Sequence, residues 1–142
     1  MKMNKIKLFE EFSDDENKEI NLDIQDIFID LFDQDDRWKV STPFPFKIKE
    51  YGIIKDCKYV IITKESPDGF RYFNINEIEY QLHHLIRYME SLGFKYSASA
   101  IGKWNSEYDL IIKPGDYIRK IEGPNEWRFD KKVKELKFTF IK

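Results

Sequence analysis

Residues 73 to 94 limit the fold more than any other stretch, because the start, the apolar face and the end of one helix are all written there. Ile75, Ile78, Leu82, Leu85, Ile86, Met89 and Leu92 recur at spacings of three and four, which stacks them on a single helical stripe. Asn74 is the predicted N-cap, with Glu77 three residues on to return the capping bond, and Phe73 and Ile78 take the two positions of a hydrophobic staple. Gly93 suits the left-handed position just past the helix, from which Phe94 folds back on Met89. A stripe this apolar must be buried, so the rest of the chain has to supply a surface for it.

A second, shorter helix is predicted from an N-cap at Asn21, with Ile24, Ile27, Phe28 and Leu31 inward and Asp23, Asp26, Asp30 and Asp33 outward. Asp33, Asp35 and Asp36 crowd its C-terminal end, where the helix dipole disfavours negative charge, so a basic neighbour such as Arg37 or a sheet residue is expected there. Residues 1 to 20 read as an N-terminal arm and an acidic linker, and residues 21 to 142 as one domain.

From Trp38 onward the period becomes two. Phe44, Phe46 and Ile48 alternate with Pro45, Lys47 and Lys49 in a strand that the proline places at an edge or a strand start. Residues 59 to 63 form a continuous β-branched and aromatic run, the pattern of a central strand. Ser66-Pro67-Asp68-Gly69 predicts a turn into a short strand at residues 71 to 73, and further strands are expected at residues 94 to 100, 108 to 112, 117 to 121 and 136 to 140. With no crossover helix between successive strands, the expected class is α+β: a mostly antiparallel sheet with one long and one shorter amphipathic helix packed on one face.

Composition narrows the chemistry. Cys57 is the only cysteine of the 142 residues, which excludes an intrachain disulfide and a cysteine-rich zinc site. No apolar run reaches the roughly 20 residues of a membrane-spanning helix, so no membrane partner is expected, and the sequence points to the cytoplasm of the cell that makes it. The net charge of −2 conceals an asymmetry: residues 10 to 36 carry twelve acidic side chains and one lysine, whereas residues 37 to 142 carry twenty basic and fourteen acidic ones. Such a segment either solvates as an acidic face or lies against a basic surface, its own or a partner's.

No catalytic constellation stands out. His83 and His84, adjacent on the main helix, diverge by about 100° and cannot chelate one metal. Both are expected on its polar side, where Tyr80, His84, Arg87 and Tyr88 make an interaction stripe of aromatic anchors and a forked donor. Cys57 has no histidine placed to activate it and reads as a buried, inert thiol. Glu107 and Asp109 share a strand face without a third ligand. Basic and aromatic residues interleave in residues 95 to 104 and again in 127 to 134, where Arg128, Lys131, Lys132 and Lys134 would form a platform for single-stranded nucleic acid. No metal or other cofactor is implied.

One local resemblance carries a mechanism. Met1-Lys2 followed by Leu8-Phe9-Glu10-Glu11-Phe12 resembles the N-terminal segments of small proteins of T-even-type tailed bacteriophages, with residues 3 to 7 inserted relative to that pattern. In the internal head proteins of such phages, a segment of this kind directs packaging into the prohead, and a protease cuts after an apolar-x-Glu triplet, which Leu8-Phe9-Glu10 matches. The resemblance implies a phage protein, found in the host cytoplasm or the virion. Together these readings point to a non-enzymatic protein that binds another protein, a host factor or a virion component. Single-stranded nucleic-acid binding is the alternative, and a packaged internal head protein is a further one.

Overall fold

The computed structural model describes residues 14–43, 45–102, 105–112, 118–120 and 132–142. The chain runs through α1 (Asp14–Ile27), α2 (Ile29–Gln34), β1 (Trp38–Ser41), β2 (Phe46–Glu50), β3 (Ile53–Ser66), β4 (Gly69–Arg71) and β5 (Phe73–Asn74). A 3₁₀ turn (Ile75–Ile78) then leads into α3 (Glu79–Ser91), followed by β6 (Lys95–Ile101), β7 (Glu107–Ile112), β8 (Ile118–Lys120), β9 (Lys132–Val133) and β10 (Glu135–Ile141). Eight of these strands form one antiparallel sheet in the order β1-β3-β10-β6-β7-β8, with β2 and β4 also paired to β3, while β5 and β9 make a separate two-stranded pair. The fold is α+β, as the sequence implied.

The organising helix keeps its stripe and its end. Ile75, Ile78, Leu82, Leu85 and Met89 are fully buried, and Ile86 nearly so. Gly93 takes φ +93°, its N–H donates to the Glu90 carbonyl, and the Phe94 N–H returns to the Met89 carbonyl, which satisfies two of the last helical carbonyls. Its start differs from the expectation. Asn74 does cap, accepting from the Asn76 N–H, but it caps the 3₁₀ turn, and Phe73 lies in β5 opposite Val133.

The acidic helix begins at Asp14, seven residues before the cap expected at Asn21, so residues 14 to 19 are helix and not linker. Burial of Asn17 and Ile20 explains this: they continue the inward face of Ile24, Phe28 and Leu31 by a full turn. The helix breaks at Phe28 and resumes as α2, and Ile27 is only half-buried. The 14 residues of α1 compare with the 13 of α3, which the 3₁₀ turn Ile75–Ile78 extends at its start.

In the sheet, the run at residues 59 to 63 is indeed central but extends to the 14 residues of β3. The short strand expected at residues 71 to 73 is divided: Gly69–Arg71 pairs with β3, and Phe73–Asn74 leaves the large sheet for β9. The hairpin β2–β3 turns at Tyr51 and Gly52, both at positive φ (51° and 77°), the pairing of two left-handed residues that a tight two-residue hairpin requires. The C-terminal strand β10 is inserted between β3 and β6, in register with Leu136 opposite Ile62 and Ala100, and Phe138 opposite Val60 and Ala98. Directly paired residues share a face. Val60, Ile62, Leu136, Phe138, Phe140, Ala98, Ala100, Leu110 and Ile112 therefore form the inner face and join the helices in one core.

Candidate functional surface

The helical layer presents two ridges. On α3, Tyr80, His84 and Arg87 are exposed as expected, with the Tyr80 and His84 rings edge-to-face at 6.4 Å. Tyr88, assigned to the same stripe, turns toward α1 instead: its hydroxyl donates to Asp23 Oδ2 at 2.6 Å, and its ring packs on the core. Burial, then the bond to Asp23, then the charges of Asp23 and Glu19 hold the phenol protonated far above its ordinary range. Asp23 is thereby half-buried and structural, whereas Asp26, Asp30 and Asp33 are exposed.

At the end of α2 the expected cation is present twice. Arg37 grips Asp35 with its guanidinium, Nε to Oδ1 and Nη2 to Oδ2 both at 2.8 Å, and the Lys64 ammonium lies 3.4 Å from Oδ2. The Arg37 side-chain bonds, first, and its backbone N–H hold the Asp35 carboxyl well below the usual carboxylate range. Lys64 also lies 4.7 Å above the Trp38 ring, so one lysine joins α2, β1 and β3.

His83 is a correction: it is buried, 8% exposed, and does not share the solvent side with His84. The buried arc of α3 is wider than its aliphatic stripe and takes in this ring. Its Nε2 lies 3.5 Å from Glu79 Oε1, one turn back, and neither ring nitrogen makes a hydrogen bond among the described residues. Cys57 is fully buried, as expected; burial, followed by the charges of Asp56 and Glu50, pushes its thiol up and away from the reactive thiolate.

Lys58, which the periodicity did not single out, is fully buried on the inner face of β3. Its ammonium donates to Asn17 Oδ1 at 2.8 Å and to the Pro43 carbonyl at 3.4 Å, tying α1 to the sheet, and burial pushes its pKa down to about 8. The only signal for it was a lysine inside an apolar strand run, with parity matching Val60 and Ile62.

Of the basic cluster, Arg128 and Lys131 lie outside the described residues. Lys132 is exposed in β9, and Lys134 is half-buried with its ammonium bonded to Asn105 Oδ1. Glu107 and Asp109 do share one exposed face of β7. Asp109 borders a cavity of about 440 Å3 with Tyr96, Ser97, Ala98, Leu110 and Ile111. There the β6–β7 ladder stops at Ala98 and Leu110, and the Tyr96 hydroxyl takes its place, bonding both the carbonyl (2.8 Å) and the N–H (3.2 Å) of Ile112.

Among the described residues no three His, Cys, Asp or Glu side chains gather as a metal site, and no helix is long and apolar enough to cross a membrane. Compared with family models, curated proteins and solved structures, the chain matches none. The resemblance at residues 1 to 12 falls outside the described residues.

Proposed function

We propose that this chain acts by binding a basic protein partner through the outer side of its helical layer. The observation that carries the reading is a set of large apolar side chains left in solvent among carboxylates: Leu22 is 70%, Ile29 48% and Tyr80 74% exposed. Leu22, Asp26, Ile29 and Asp33 succeed one another at spacings of four, three and four, and the bond from Tyr88 to Asp23 sets α1 beside the Tyr80–His84–Arg87 ridge. Tyrosine and arginine anchors are what binding hot spots use, and the carboxylates steer a cationic surface to them. The phage-like start agrees with a host factor or a virion component as the partner, met in the host cytoplasm or the virion.

The test is affinity capture with the tagged chain and with a Leu22→Glu, Ile29→Glu double variant whose circular dichroism and melting match the wild type. A captured protein, once purified, should bind the wild type at least tenfold more tightly than the variant. Equal binding to both would remove the helical layer as the interface.

A further inference from the structure

We infer that the cleft between β6 and β7 receives the free N-terminal amine of an extended peptide. The alternation of the ladder shows which backbone groups face it. The Ile101 carbonyl accepts from the Lys134 N–H on the β10 side, whereas the Gly102 N–H donates to the Ser106 carbonyl on the β7 side. The even-numbered residues of β6 therefore turn their N–H and carbonyl toward β7, and after Ala98 the next pair due to exchange both bonds is Tyr96 with Ile112. That pair does not form. The Tyr96 hydroxyl instead takes the Ile112 carbonyl at 2.8 Å and its N–H at 3.2 Å, so the main-chain N–H and carbonyl of Tyr96 face the gap without their ladder partner.

An extended chain fits such a gap, because its own main chain supplies the acceptor and donor that the missing pair would have given. The cavity there, about 440 Å3, lies within the roughly 300 to 1,000 Å3 of ligand pockets. The paired residues Ala98 and Leu110 line it and close one end, so only a chain end fits against that stop. Because β6 runs toward the closed end, a strand antiparallel to it begins there and a parallel one finishes there. Asp109 decides between them. Its carboxylate borders the cavity, with Glu107 next along the same face. The lysine of that row, Lys137, leans away over the Tyr59 ring at 4.8 Å. A terminal ammonium is held here by charge-assisted bonds to Asp109 and the Ser97 hydroxyl, whereas a terminal carboxylate is repelled.

The same register sets the first two side chains of the peptide. Its first residue stands opposite Ser97 and shares the outward face with Ile111 and Asp109. Its second pairs with Tyr96 and turns to the inner face, where the Tyr96 ring, 6.1 Å from that of Phe138, already takes the space. The second side chain must therefore be small. Past Tyr96 the chain leaves along Lys95 and Phe94, which with Glu90 and Gly93 line an adjoining cavity of about 460 Å3.

The test is NMR titration of the full chain with Met-Ala-Ser-Gly amide, its N-acetyl form and Met-Trp-Ser-Gly amide. The free-amine alanine peptide should shift the amide signals of Tyr96, Ser97 and Ile111, with a Kd of about 1 mM or tighter. Acetylation, tryptophan at the second position, and the exposed change Asp109→Asn should each raise Kd at least tenfold. The Leu22→Glu, Ile29→Glu variant should bind the peptide as the wild type does, since the helices pack on the opposite face of the sheet. Equal binding in any of the first three comparisons overturns the inference, and so does an absence of shifts in these signals at millimolar peptide. Loss of binding with the Leu22→Glu, Ile29→Glu variant overturns it too. The capture experiment on the helical layer is read separately, so this inference and the proposed function fail independently.

Discussion

The Tyr88 phenol and the Asp23 carboxylate, 65 residues apart, meet at 2.6 Å and fix how the acidic helix sits on the main one. A hydrogen bond to a charged acceptor contributes about 1.5 to 3 kcal/mol, and partial exposure of both groups places this one at the low end. Tyr88→Phe is therefore expected to cost about 1.5 kcal/mol and lower Tm by about 4 °C, while leaving binding through Tyr80 and Arg87 intact. An unchanged melting temperature would show that apolar packing alone seats the helix.

Lys58 sets a pH dependence with a definite sign. Its folded pKa, about 8, lies below the ordinary 10.5, so between those values the unfolded chain binds more protons and stability rises with pH. Below about pH 8 both states are charged and the contribution is flat. Relative to Lys58→Met, the wild type should gain about 2 kcal/mol between pH 7 and pH 9.5. Tyr88, raised in the fold, acts in the opposite sense only near and above pH 10, outside that range. Parallel urea-denaturation curves for the two proteins across the range would refute the buried ammonium.

What was legible followed periodicity. The stripe from Ile75 to Met89, the Gly93 cap and the inward set of β10 needed only spacing and residue type. The place of β10 between β3 and β6 did not, because pairing across some 75 residues is decided by which strand fills the gap and not by any local pattern. The surface divided the same way: Tyr80, His84 and Arg87 follow from the helical period, whereas Tyr88, Asp23 and His83 lie on the flanks of the stripe, where the neighbouring element decides burial.

Asn21 tests the extended helix. As an N-cap, its replacement by alanine would destabilise by about 0.5 to 2 kcal/mol. It lies instead inside α1, with a buried Oδ1 that accepts no hydrogen bond among the described residues. Asn21→Ala improves helix propensity by about 0.5 kcal/mol and removes the unpaired acceptor, so Tm should rise. A fall in Tm would return the helix start to Asn21.

The two sides of the acidic helix should separate in mutation. Phe28, fully buried, anchors α1 and α2 to the core, and its loss to alanine should cost about 3 to 5 kcal/mol. Asp26, Asp30 and Asp33 are exposed, and surface changes of this kind stay within about 0.5 kcal/mol. Asp23 is left out of the set because its carboxylate accepts from Tyr88. The triple Asp→Asn variant should therefore melt like the wild type yet bind a basic partner more weakly, with a shallower salt dependence, since the steering field has been removed. Phe28→Ala should lose stability first, with binding falling only as the helical layer loosens. If the triple variant loses as much stability as Phe28→Ala, the carboxylates hold the fold together, and the acidic ridge is no longer a surface kept free for a partner.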